Sequence, residues 1–340
     1  MISRRTLGVQ ALAAASLAAC GKASEGGGAE REPGQVVFSI LPTGPAATVQ
    51  KSWEPVLADM EKITGLKVKP FVPSNYTTLI EAMRFKQTDF GWFSNETGLE
   101  AVRRAGGEVF ARTLGPSGVE GYQSVLIVNA KSPITIDTIL KCDKTLSFGD
   151  GDTISTSGHV VPTAYFFGEH DIQPDKCFKV VRTSNHNGNL LAVANGTIDV
   201  ATGNTTSLQM NREAGRHEAD NVKIIWTSLT LPEDPIIWRK DLDPAIKEKL
   251  RQFFLTYGSG DTPEAAAQRA KLAPLHIGGF KAADNNHLLV VREIEAREKW
   301  IQAKWGGDAA KAAEAKKQLD AITAERVALE ARTRAPAAAQ

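Results

Sequence analysis

Gly149-Asp150-Gly151-Asp152-Thr153-Ile154-Ser155-Thr156-Ser157-Gly158 is the stretch on which the reading of this chain turns. Before it, Thr145-Leu146-Ser147-Phe148 reads as a short strand; after it, residues 159–167 read as a helix. A strand, a loop of glycines and hydroxyls, and a helix start together make a seat for an anion. The first helical amides have no partner inside the helix, and the helix dipole is positive there. Ser155, Thr156 and Ser157 can add hydroxyl donors, or can simply cap the helix. The loop lacks the lysine of a P-loop, and its glycines miss the dinucleotide fingerprint, which argues against a nucleotide.

On either side of this stretch, strands alternate with helices. Strands are expected at 36–41, 66–72, 89–93 and 109–114, with helices at 47–63, 74–85 and 94–105. After a long apolar run at 124–128 the rhythm restarts, with strands at 146–148, 178–181, 199–201 and 222–226. A second long apolar run follows at 235–238. The alternation predicts α/β architecture: two mostly parallel, helix-covered lobes joined by those two runs as hinge strands. The expected division is 36–125 plus 236–300 for one lobe and 126–235 for the other, with a helical tail over 301–340. Ligands of open α/β sheets sit beyond the C-terminal ends of strands, so two facing lobes present two such edges to one cleft.

The ends of the chain bear on location. Arg4-Arg5 precede an apolar segment, 7–19, that is too short to span a bilayer. It ends Leu17-Ala18-Ala19-Cys20-Gly21, which resembles a bacterial lipobox and makes Cys20 the expected lipidation site. Residues 1–20 then form a signal peptide and 21–35, rich in Gly, Glu and Ala, a flexible tether. Ser3-Arg4-Arg5-Thr6-Leu7 loosely resembles a twin-arginine signal. The expected setting is the periplasmic side of the envelope, with the membrane reached through the lipid. In an oxidising compartment the remaining pair, Cys142 and Cys177, is a candidate disulfide. A formal net charge of +1 gives no field for nucleic acid.

Several polar side chains fall at expected strand ends or helix starts: Tyr76, Ser94, Tyr122, Ser155, Thr156, Ser157, His186, Thr206 and Asp234. Hydroxyls, an imidazole and helix starts suit a small oxyanion. No cluster of Lys or Arg falls among these edges, so neutral donors have to do the binding. Asp234 repels an anion unless the anion keeps a proton for it to accept, which favours a phosphoryl or phosphonyl group over sulfate. A second arrangement is a hydrolytic triad of Ser155 or Ser157 with His186 and Asp234. Against it, the serines lack the Gly-x-Ser-x-Gly elbow. No metal-ligand spacing such as His-Glu-x-x-His or Cys-x-x-Cys occurs, so neither a metal nor a cofactor is expected.

The runs Glu81-Ala82-Met83-Arg84-Phe85, Gly121 to Asn129, Ser155-Thr156-Ser157-Gly158, Asn189 to Thr202 and Asp234 to Lys240 resemble the periplasmic substrate-binding proteins of phosphonate ABC transporters. The resemblance covers roughly residues 36–279. It implies a type II periplasmic binding fold, closure on the ligand and an ABC permease as partner. It also implies that residues matching Tyr76, Tyr122, Ser155, Thr156, Ser157, His186 and Asp234 hold the phosphonate group. One position departs from the family. Members that bind aminoalkyl phosphonates carry a Glu in an Asn-Thr-Glu-Asn stretch; here the stretch is Asn204-Thr205-Thr206-Ser207. Thr206 cannot pair with an ammonium as a carboxylate does, which favours phosphite, methylphosphonate, phosphate or another non-amino phosphonate. A binding lobe that feeds a sensor partner would carry the same sequence features.

Overall fold

The computed structural model describes residue 32 and residues 34–334. The expected signal peptide, Cys20, nearly all of the tether and the last residues of the tail lie outside the described residues. Among those described, no helix is long and apolar enough to cross a membrane.

The first lobe opens with β1 (Gln35–Ile40), α1 (Ala46–Thr64), β2 (Lys67–Phe71), α2 (Tyr76–Arg84), β3 (Phe90–Trp92), α3 (Asn95–Arg104) and β4 (Gly107–Leu114). In α1, Trp53, Val56, Leu57 and Met60 recur at helical spacing and are all buried. Gly65, at φ 70°, supplies the left-handed residue that ends the helix. The second lobe contains β5 (Ser124–Asn129), α4 (Ile136–Leu140), β6 (Ser147–Asp150), α5 (Pro174–Cys177), β7 (Val180–Thr183), α6 (His186–Ala194), β8 (Val200–Asn204), α7 (Thr205–Glu213) and β9 (Val222–Thr227). The chain then returns to the first lobe through β10 (Pro235–Arg239), α8 (Pro244–Thr256), α9 (Pro263–Leu272) and β11 (Gly279–Ala282). It ends in α10 (Leu289–Trp305) and α11 (Ala309–Arg334).

Two sheets result, ordered β11-β4-β10-β3-β1-β2 and β7-β6-β8-β5-β9. The long apolar runs expected to cross between lobes do not cross. β5 lies between β8 and β9, and β10 between β4 and β3, each antiparallel to both neighbours. Their hydrophobicity has another cause: an inner strand buries both faces. Val125 and Ile127 pack with Leu190 and Val193, while Leu126 and Val128 pack with Phe148 and Phe166. The crossings are the polar segments just before them, 115–123 and 228–234. They meet where Tyr122 and Leu231 exchange backbone hydrogen bonds of 3.0 and 2.7 Å. Val160, Val161, Ala164 and Ile294 pack around that bridge.

The expected boundary at 300/301 falls inside α10, because Gly306 and Gly307, not a change of composition, end the helix. This helix belongs to neither lobe alone. Glu295 takes both nitrogens of Arg103 on α3 at 2.7 Å, while Arg297 reaches Glu169 and the Trp305 indole reaches Asp171 in the second lobe. α11 folds back along α10, with Arg292 and Glu325 3.1 Å apart.

A disulfide joins Cys142 and Cys177, with Cα atoms 4.3 Å apart, and ties the end of α4 to α5. It closes a loop of 35 residues. Cys142→Ser is therefore expected to cost about 2–4 kcal/mol in urea unfolding under oxidising conditions. Adding reductant should bring the wild type down to the variant.

Candidate ligand site between the lobes

The stretch at 149–158 folds much as its residues suggest, with one refinement. β6 runs into a tight loop, and the following helix begins at Thr156 as π-helical turns, Thr156–Val160 and Thr163–Phe167. The Gly151 amide donates to the Gly158 carbonyl at 3.0 Å. A Cβ on Gly151 would come within 2.6 Å of the Gly158 backbone, so this close approach needs glycine.

The loop edges a cavity of about 620 Å³ lined from both lobes. Tyr76, Ser94, Tyr122, Ser155, Ser157, His186, Thr206 and Asp234 all line it. Thr156 does not. Its hydroxyl instead accepts from the Glu96 amide across the lobes at 2.8 Å, because the helix turn carries successive side chains to different faces. The other two hydroxyls are also distinct. Ser155 is the N-cap, accepting from the Gly158 amide at 3.1 Å. Ser157 Oγ accepts from Asn204 Nδ2 at 3.1 Å and lies 3.4 Å from His186 Nε2. Ser94 caps α3 through Thr97, so its oxygen has a structural role as well.

Electrostatically the site is built from neutral donors. Burial pushes the phenols of Tyr76 and Tyr122 upward, so both remain protonated. Burial lowers His186 to about 4, leaving a neutral imidazole near neutral pH. Asp234 is raised well above its ordinary value, first by burial and then by neighbouring Glu233. Its Oδ1 accepts from the Tyr122 hydroxyl at 3.3 Å and from Asn95 Nδ2 at 3.4 Å. The proton that sequence reasoning gave to the ligand can therefore reside on Asp234 itself. The hydrogen-bond partners of Asp234 are Tyr122 and Asn95 rather than His186, so the hydrolytic triad is not assembled.

Sequence reasoning missed part of the wall. Trp53 and Trp92 line it from the first lobe, and Met210, Asn211 and Arg216 from the second. Trp53 and Met210 sit in ordinary helical patterns, and Arg216 follows the turn that ends α7, so none carries a local signal. Among the described residues no group of His, Cys, Asp or Glu is placed to hold a metal ion.

Two α/β lobes, two crossings and a cavity of convergent polar groups define the class of two-lobed solute-binding proteins. The chain matches the family of periplasmic substrate-binding proteins of phosphonate ABC transporters over residues 38–288, and it belongs to that family. It is 39% identical to the phosphonates-binding periplasmic protein of Escherichia coli K12 over 267 residues, 78% of this chain and 77% of that protein. A crystal structure of the binding-protein component of an ABC phosphonate transporter from Pseudomonas aeruginosa superposes with a TM-score of 0.79 at 38% identity, covering 88% of this chain and 97% of that one. PhnD1 of Prochlorococcus marinus, solved with methylphosphonate, shares the fold with a TM-score of 0.67 at 21% identity, covering 77% and 97%. The chain is thus a periplasmic, non-enzymatic binding component of an ABC transporter, with a type II periplasmic binding fold.

The lobes also meet at a buried acid. Burial, then the neighbouring Glu295, raises Glu96 to about 8, and its Oε2 has no hydrogen-bond partner. The folded protein holds this proton where the unfolded chain releases it, near the ordinary 4.5. Glu96 therefore costs stability progressively as pH rises from about 4.5 to about 8. Glu96→Gln removes that titration. Its stability relative to wild type should be near zero in acid and should grow to on the order of 1–3 kcal/mol above neutrality, read by denaturant unfolding across pH. A pH-independent difference would contradict the assignment.

Proposed function

We propose that this protein captures one small phosphorus oxyanion between its lobes, closes on it and delivers it to an ABC permease. Tyr76, Tyr122, Ser155, Ser157 and His186 hold the phosphonyl oxygens. The first amides of the helix at Thr156 add backbone donors, while the Thr156 side chain ties the lobes together. The observation that carries the reading is the buried Asp234 carboxyl, raised above its ordinary range among neutral donors. Such a group binds an oxyanion with one proton shared between them. Thr206, a neutral hydroxyl on the cavity wall, makes aminoalkyl phosphonates the weaker ligands. Cys20 is the proposed lipid anchor on the periplasmic side.

Isothermal titration with phosphite, methylphosphonate, phosphate, aminoethylphosphonate and sulfate tests the reading. One tight site for phosphite or methylphosphonate is expected, with aminoethylphosphonate and sulfate weak. Ser157→Ala should weaken the best ligand about 10- to 100-fold, the value of a hydrogen bond to a charged group. Absence of binding for every phosphorus oxyanion would refute the proposal.

The shared proton also sets a pH dependence. As pH rises, the bound ligand and Asp234 compete for a proton that solution removes, so affinity should fall. Asp234→Asn supplies an amide donor that does not titrate. It should flatten the alkaline loss and improve sulfate binding. Affinity of the wild type that is constant from mildly acid to alkaline solution would refute this role for Asp234.

A further inference from the structure

We propose that Arg216 forms a second anion site in the same cavity, so that the preferred ligand is a phosphonate whose organic arm ends in a carboxylate. This rests on the phosphorus-oxyanion reading and deepens it. The cavity, about 620 Å³, is of a size that holds small organic molecules, and a bare tetrahedral oxyanion leaves most of it unfilled. Beyond the seat its walls are largely apolar, with Val49, Trp53, Met210 and Leu275 among them, and suit a short carbon chain.

Arg216 lines the same cavity and is half-buried. Its guanidinium donates to two neutral amide oxygens, Asn211 Oδ1 at 3.1 Å and Asn187 Oδ1 at 3.4 Å. Among the described ion pairs, none includes Arg216. A guanidinium has five donors in a planar fork that matches a carboxylate, and two neutral acceptors leave both its charge and part of the fork unanswered. Asn187, one of the two acceptors, follows His186 directly in the chain, so α6 starts with a residue of the proposed phosphonyl seat followed by a partner of Arg216. Glu213, three residues before Arg216, lines the same cavity but is engaged elsewhere. It accepts from Gln209 at 2.9 Å and faces His276 of the first lobe at 3.4 Å.

The test compares phosphonoacetate and phosphonopropionate with alkyl phosphonates of equal length by calorimetry, on the wild type and on Arg216→Gln and Arg216→Lys. The phosphonocarboxylate of fitting length should bind at least about tenfold tighter than its alkyl counterpart, and Arg216→Gln should bring that ratio close to one. Arg216→Lys should recover part of it. A merely structural role for Arg216 would lower both affinities together and leave the ratio unchanged, which would overturn the proposal. Equal affinities in the wild type would overturn it too, while leaving the phosphorus-oxyanion reading intact if methylphosphonate binds. If no phosphonate binds, both fall.

Discussion

The chain passes between its two lobes at one place, and the remainder of the architecture depends on how that place is held. Two polar segments, 115–123 and 228–234, exchange backbone hydrogen bonds at Tyr122 and Leu231. Two bonds would be a weak joint in water. Here they are wrapped by Val160, Val161 and Ala164 from the π-helical segment and by Ile294 from α10. Three of these four covering residues come from the same helical segment whose first turn edges the cavity. Tyr122 joins the two regions in one side chain: its backbone pairs at the crossing and its hydroxyl donates to Asp234.

The cavity puts a low-dielectric environment to use. Taken out of water beside Glu233, Asp234 is pushed toward its neutral form; taken out of water alone, His186 is pushed toward its neutral form as well. The same burial thus moves an acid up and a base down, and leaves the seat around Ser157 and His186 with neutral donors. Discrimination then depends on protons and geometry. Glu96 shows the same physics where it serves the junction of the lobes instead, its amide held by Thr156 and its carboxyl left unpartnered.

Much of this was legible in the sequence because local rules and the fold agree. The strand, glycine loop and capped helix start at 149–158 and the two α/β units follow from period and turn chemistry. What escaped was what local pattern cannot carry. Three adjacent hydroxyls look alike in sequence, yet Ser155 caps, Thr156 ties the lobes and Ser157 faces the cavity together with His186 and Asn204. The apolar runs of β5 and β10 signalled burial on two faces, which was read as passage between lobes. Arg216 lies after a helix end and reaches the cavity only through tertiary packing. Likewise nothing in the Ala, Lys and Glu pattern of the tail says that α10 packs on both lobes.

A shared proton at Asp234 has a further consequence for the cargo. A monoanion arriving at an ionised Asp234 and a dianion arriving at a neutral one give the same complex, with the same total charge. Neither pairing exchanges a proton with the buffer; where ligand and Asp234 together bring one proton too many or too few, the buffer takes or gives it, and the loaded protein presents the same charge. On the proposed function, a permease would thus meet one electrostatic species whatever the external acidity. The heat of binding, in contrast, would carry the ionisation enthalpy of the buffer.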